Sequence, residues 1–155
     1  MHRLLTFALV LLLSAGAAAA DTLVFCVTLD GSQEVPPAAT PATGTGLLSF
    51  DTVTKMLSVS VTFAGLSSAQ TNAHIHGPAN PGVNAGAIFP LPLGSPINAV
   101  VGPLSAVQEG YLTGGLFYIN VHTTNFPGGE IRGQIIDCPV PVEHASWGAV
   151  KAIYR

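Results

Sequence analysis

The segment KMLSVSVTF, Lys55 to Phe63, decides the fold. Leu57, Val59, Val61 and Phe63 fall on one face of an extended chain, and Ser58, Ser60 and Thr62 on the other. Strict alternation is the signature of a half-buried β-strand, because successive side chains point to opposite faces of a sheet. The same period runs through Leu23, Phe25, Val27 and Leu29 ahead of the turn signal Asp30-Gly31. Gly46 to Phe50 reads as a shorter strand, and Asp51 to Lys55 as a tight connection into the next one. Gly115 to His122 and Glu130 to Ile136 read as paired strands joined by a turn containing Pro127-Gly128-Gly129. Between Gly77 and Gly102 the prolines at 78, 81, 90, 92 and 96 leave room only for short edge strands or loops. No window before residue 142 carries a helical period. About seven or eight short strands imply an all-β, antiparallel sandwich or barrel.

The 155 residues predict one domain. Only 8% are charged, where an average soluble domain has about 25%. With 5 Lys+Arg the chain has no cationic face for nucleic acid. With 48% apolar residues it is not a disordered acidic tail either.

Part of that apolar content belongs to a leader. Residues 1–20 read MHRLLTFALVLLLSAGAAAA: a basic start at Arg3, an apolar run from Leu4 to Leu13, and small residues up to Ala20. This is the pattern of a secretory signal with an A-x-A cleavage site near Ala20. An apolar run of about ten residues is too short for the roughly 20 that span a bilayer. Cys26 follows Leu23-Val24-Phe25 and lacks the small residue expected before a lipid-modified cysteine. The sequence therefore divides into a signal peptide (1–20), a domain (21–138), and a linker with a C-terminal tail (139–155). The product is expected outside the cytoplasm, secreted, periplasmic or at the cell surface, with no transmembrane segment in the mature chain. Export favours a disulfide between Cys26 and Cys138, although two lone cysteines also occur as buried thiols. A closed loop on the order of 100 residues is worth roughly 4.7 kcal/mol in the chain-entropy picture.

The polar residues of three strands carry the functional signal. In Asn72-Ala73-His74-Ile75-His76, Ala73 and Ile75 point one way while Asn72, His74 and His76 line the other face. Two histidines one residue apart on a strand put both imidazoles on one side, roughly 6.6 to 7 Å apart at the backbone, a spacing that metal sites use. Phe117, Ile119 and Val121 face the core and leave Tyr118, Asn120 and His122 together. Glu130, Arg132 and Gln134 form a third row. If the last two strands pair through the Pro127-Gly128-Gly129 turn, their rows lie side by side.

The segments GSQEVPP (Gly31 to Pro37), AHIHGPA (Ala73 to Ala79), YINVHT (Tyr118 to Thr123) and PGGEIRGQI (Pro127 to Ile135) resemble the successive motifs of the CHRD domain. That module is named after chordin and is also found in many exported microbial proteins. The resemblance runs from about Leu23 to Asp137 and implies a Greek-key sandwich, immunoglobulin-like or superoxide-dismutase-like. It implies no catalytic residue: chordin repeats sit in a secreted growth-factor antagonist, and the microbial members have no general assigned reaction.

Two readings of the polar rows stay open. In one, His74, His76 and His122 form a three-imidazole site for copper or zinc, with Glu130 as fourth ligand or supporting partner. The His-x-His strand resembles that of copper/zinc superoxide dismutase, but only His144 is left to supply another imidazole and no second cluster exists for a bridged zinc. In the other, these side chains hydrogen-bond the backbone of the Gly/Pro-rich loop. Glu130 with Asp137 or Glu109 would make a carboxylate pair only at a separation that sequence does not give. Glu34-Val35-Pro36-Pro37 reads as a turn out of the first strand, or as a proline-recognition element. There is no G-x-S-x-G elbow and no P-loop.

Pro139 to Glu143 reads as an extended linker, and His144 to Arg155 places Trp147, Val150, Ile153 and Tyr154 at near-helical spacing. This ending resembles short terminal segments of assorted exported bacterial proteins and reads either as a sorting element or as a short helix packing Trp147 on the domain. The expectation is thus an exported, non-catalytic binding or structural module whose partner is an extracellular protein or small ligand. The alternative is a copper- or zinc-binding metalloprotein, redox-active if copper.

Overall fold

A computed structural model of the chain describes residues 21–138. The leader and the terminal segment 139–155 lie outside the described residues. Nine strands form in chain order: β1 (Thr22–Asp30), β2 (Thr43–Asp51), β3 (Leu57–Ala64), β4 (Gln70–His76), β5 (Ala87–Pro90), β6 (Ile97–Val101), β7 (Tyr118–Thr123), β8 (Ile131–Gln134) and β9 (Ile136–Asp137). They pair antiparallel in the order β5-β4-β7-β8-β1-β2-β3-β6, with β9 also against β1. The alternation of Lys55–Phe63 holds: Leu57, Val59 and Val61 are buried while the serines between them are exposed.

The path has two halves, β5-β4-β7-β8 and β1-β2-β3-β6. Only Asp30↔Arg132 joins β8 to β1 directly. Ile135 interrupts the ladder, its N–H donating to Phe117 O at 2.9 Å, so one short run of chain pairs with β7 as β8 and with β1 as β9. Phe25, Val27 and Leu48 from one half and Ile75, Ile119 and Val121 from the other share one buried cluster. The sheet therefore wraps round a single core into a nearly closed, barrel-like arrangement. Cys26 and Cys138 are bonded, and neither is a free thiol.

The Gly/Pro-rich region from 77 to 102 supplies β5 and β6, the two ends of the path, where a missing N–H costs no ladder bond. Two expectations need correction. The second strand is longer than Gly46–Phe50, because Thr43, Gly44, Thr45 and Asp51 belong to it: a Cβ at Gly44 would meet Thr62 O at 2.8 Å and Phe63 Cβ at 2.9 Å, so β2 and β3 approach too closely there for a side chain. There is also a helix, α1 (Ala106–Thr113), in a stretch without helical periodicity. Only Leu112 is buried along it, too little for a stripe. Its start is legible in another way: Ser105 and Gln108 form a reciprocal capping box, with Ser105 N–H donating to Gln108 Oε1 at 2.9 Å.

Candidate functional site

The register of β4, β7 and β8 assembles the three polar rows. His76 lies opposite Tyr118, His74 opposite Asn120 and Asn72 opposite His122. Across the next seam Tyr118 faces Gln134 and Asn120 faces Arg132. Loops cover most of this face, so Tyr118, Asn120 and Arg132 are at most 4% exposed. Asn72 is exposed at the end of its row.

Three imidazoles converge at one end. His74 Nδ1 lies 3.3 Å from His122 Nε2. His76 Nδ1 is 2.9 Å from Ala85 O, and His122 Nδ1 is 3.0 Å from Pro127 O. A carbonyl only accepts, so both Nδ1 atoms carry the proton and both Nε2 atoms keep a lone pair. One candidate ligand atom from each histidine lies within 4.8 Å of the others. Burial pulls the His76 and His122 pKa values below the ordinary histidine value, partly countered by those backbone hydrogen bonds. The lowered values favour the neutral ring, the state a metal requires of imidazole.

Glu130, expected as a fourth ligand or a supporting partner, stands apart from the three imidazoles. Its fully buried carboxylate accepts from Thr40 Oγ1 (2.6 Å), Ser67 N (2.7 Å), Ser67 Oγ (3.1 Å) and Thr123 Oγ1 (2.7 Å), which leaves no oxygen for a metal. Among the described residues it pairs with neither acid considered: Glu109 binds Lys55 at 2.8 Å, and Asp137 is exposed.

Arg132, Tyr118 and His76 form a stack. The guanidinium lies 3.6 Å from the Tyr118 ring centre, and the His76 ring stacks on Tyr118 at 4.9 Å between centres and 12° between planes. Tyr118 Oη accepts from Ala85 N at 3.0 Å. Arg132 donates to Asn84 Oδ1 (3.3 Å) and Gln134 Oε1 (3.4 Å), and Gln134 donates to Ala79 O and Gly115 O, both at 2.8 Å. The loop-bonding reading thus holds for His76, which bonds Ala85 O, and for Asn120, which donates to Gly128 O, and His122, Tyr118 and Gln134 bond loop backbone as well; His76 Nε2 is left without a partner.

Glu34 belongs to this face although its sequence context reads as a turn. Asn120 Nδ2 donates to its Oε2 at 3.3 Å, and Arg132 acts on it electrostatically. Gly129, at φ 134°, sits so close that a Cβ there would strike the Asn120 amide and Glu34 Oε1. Glu34 Oε1, Asn120 Oδ1 and His76 Nε2 are the buried side-chain atoms without a hydrogen-bond partner among the described residues, and all three lie on this face. Burial pushes the Glu34 pKa from 4.5 up to about 7, against the pull of Arg132 and Asn120. A raised carboxyl pKa stabilises the fold most below the unfolded value of 4.5, and that contribution is lost as pH rises through about 7. Glu34→Gln is therefore expected to gain about 2 kcal/mol at pH 8 relative to the parent, within the roughly 3 kcal/mol that such a shift represents. Urea unfolding of both proteins at pH 4 and pH 8 checks this, and a pH-independent difference would refute it.

A family model of the CHRD domain matches residues 25–135. No curated protein and no solved structure matches the chain.

Proposed function

The chain belongs to the CHRD-domain family, and from that premise we propose that it is an exported, non-catalytic binding or structural module; as a second reading, we propose that His74, His76 and His122 hold a copper or zinc ion. The convergence of the three imidazoles, with the tautomers of two of them set by backbone carbonyls, carries this reading. Metal-ligating histidines characteristically donate the second ring N–H to a carbonyl or carboxylate, which aims the lone pair and raises its basicity. Zn–N bonds of about 2.0–2.1 Å put tetrahedral ligand nitrogens about 3.4 Å apart. The 3.3 Å between His74 Nδ1 and His122 Nε2 matches that spacing, and one ligand atom of His76 lies within 4.8 Å of the other two. Imidazole suits zinc and copper, whereas magnesium and calcium need oxygen ligands. Tyr118, Asn120, Arg132 and Gln134 are the frame: they fix the covering loops that supply the two carbonyls. His74 is half-buried while His76 and His122 are at most 9% exposed, so in this reading an ion is approached from the His74 side.

Residues 1–20 act in this reading as a signal peptide cleaved near Ala20, which the extracellular habit of CHRD domains and the Cys26–Cys138 bond support. The neighbour order β8-β1-β2-β3 supports a Greek-key description of the sandwich, since a late strand returns beside the first of three hairpin-linked ones.

Metal analysis of protein purified without chelators or nickel resin, before and after zinc and copper challenge, tests the site. Stoichiometric metal is expected in the parent and loss of nearly all of it in His74→Ala/His76→Ala. No metal in the parent even after challenge, or equal metal in the variant, refutes the proposal.

A further inference from the structure

On the outer face of β1-β2-β3-β6 the register lines up Ile136, Cys26 and Leu47 in one row, and Val24 and Val100 in the next, with serines between them. Val24, Leu47, Val100 and Ile136 are 50%, 59%, 62% and 51% exposed. Most of these residues line a shallow groove of about 640 Å³, and the rows contain no ionisable side chain. Isolated exposed aliphatics are ordinary, but several of them gathered along one uncharged groove mark a surface that something covers.

We infer that residues 144–155 of the same chain cover it. The segment after Cys138 starts on this face, because Cys138 is bonded to Cys26, which stands beside Leu47 in the row. Residues 139–143, two of them prolines, span roughly 15 Å at about 3.1 Å per residue when extended. Three inter-strand steps of about 4.8 Å carry β1 to β6 over nearly the same distance. Past residue 143 the chain supplies Trp147, Val150, Ile153 and Tyr154 at the i, i+3, i+6 and i+7 spacing of an apolar stripe. A tether this short gives the segment an effective concentration in the millimolar range, which favours it over a second copy or a diffusing partner.

Trp147 is the only tryptophan and reports on the contact directly. In the oxidised full chain lacking the leader, its emission is expected to be blue-shifted, and its quenching by acrylamide weaker, than in the same chain unfolded in guanidinium. Leu47→Asn/Val100→Asn is expected to move both towards the unfolded values while the circular dichroism spectrum stays native. Emission in the folded parent that equals the unfolded value, or that the double variant leaves unchanged, overturns the inference. Trp147 burial that depends on protein concentration and coincides with a dimer mass also overturns it, assigning the groove to a second copy. Should the double variant fail to fold, Trp147→Ala in the otherwise intact chain decides: it must raise binding of an apolar dye, and no rise refutes the contact.

Discussion

Glu130→Ala is expected to lower the unfolding free energy by about 4 kcal/mol, because it removes the acceptor of several charge-assisted hydrogen bonds at once. Thr40, Ser67 and Thr123 come from three separate parts of the chain, and the one fully buried carboxylate ties them together. Burial alone would raise its pKa, but the hydrogen bonds from Thr40, Thr123 and Ser67 outweigh that and hold it below the ordinary value of 4.5. A depressed carboxyl pKa contributes stability that is present above the unfolded value and lost as pH falls through the folded one. Glu130→Gln keeps the shape, sets an amide against some of these donors, and is expected to cost about half as much while flattening the acid limb of the stability curve. Denaturant unfolding at pH 7 and pH 4 checks both variants. An alanine variant within about 1 kcal/mol of the parent would show that water replaces the carboxylate at little cost.

The second large effect is the loss of the Cys26–Cys138 bond. Its sequence separation of 112 encloses nearly all of the described fold. Chain entropy sets a ceiling of roughly 4.7 kcal/mol for such a loop, and measured disulfides are typically worth about 2–4 kcal/mol. The upper part of that range is expected because β8 and β1 share only one register pair and β9 adds two, so the bridge reinforces the seam between the two halves of the sheet. Cys26→Ala/Cys138→Ala should lower the urea midpoint accordingly, and reductant should shift the parent to the same value. A midpoint unmoved by reductant would contradict this.

Period-two patterning is enough to read β1, β3, β4, β7 and β8, because each has one face in the core and one outside it. The same pattern puts His74 beside His76, and Asn120 beside His122, on the correct side of their strands. It cannot tell which polar residues turn towards one another and which are consumed elsewhere. Glu130 sits in the third row by sequence, yet hydroxyls from residues 40 and 67 take its oxygens. Glu34 reads as part of a turn, yet reaches Asn120 across a separation of 86 residues. The carbonyls of Ala85 and Pro127 carry no side-chain signal at all, though they set the tautomers of two histidines. Helix α1 escapes a periodicity reading because a single buried leucine makes no stripe, although Ser105-x-x-Gln108 announces its first turn.

Nitrogen-15 spectra of the histidine rings during a zinc titration test the central claim most directly. The metal-free protein should show His76 and His122 protonated at Nδ1 with an unprotonated Nε2. One equivalent of zinc should then shift His76 Nε2, His122 Nε2 and one nitrogen of His74 together, saturating at one ion per chain. Rings that keep their metal-free shifts beyond one equivalent, or that respond one at a time without saturating, would contradict the three-imidazole centre.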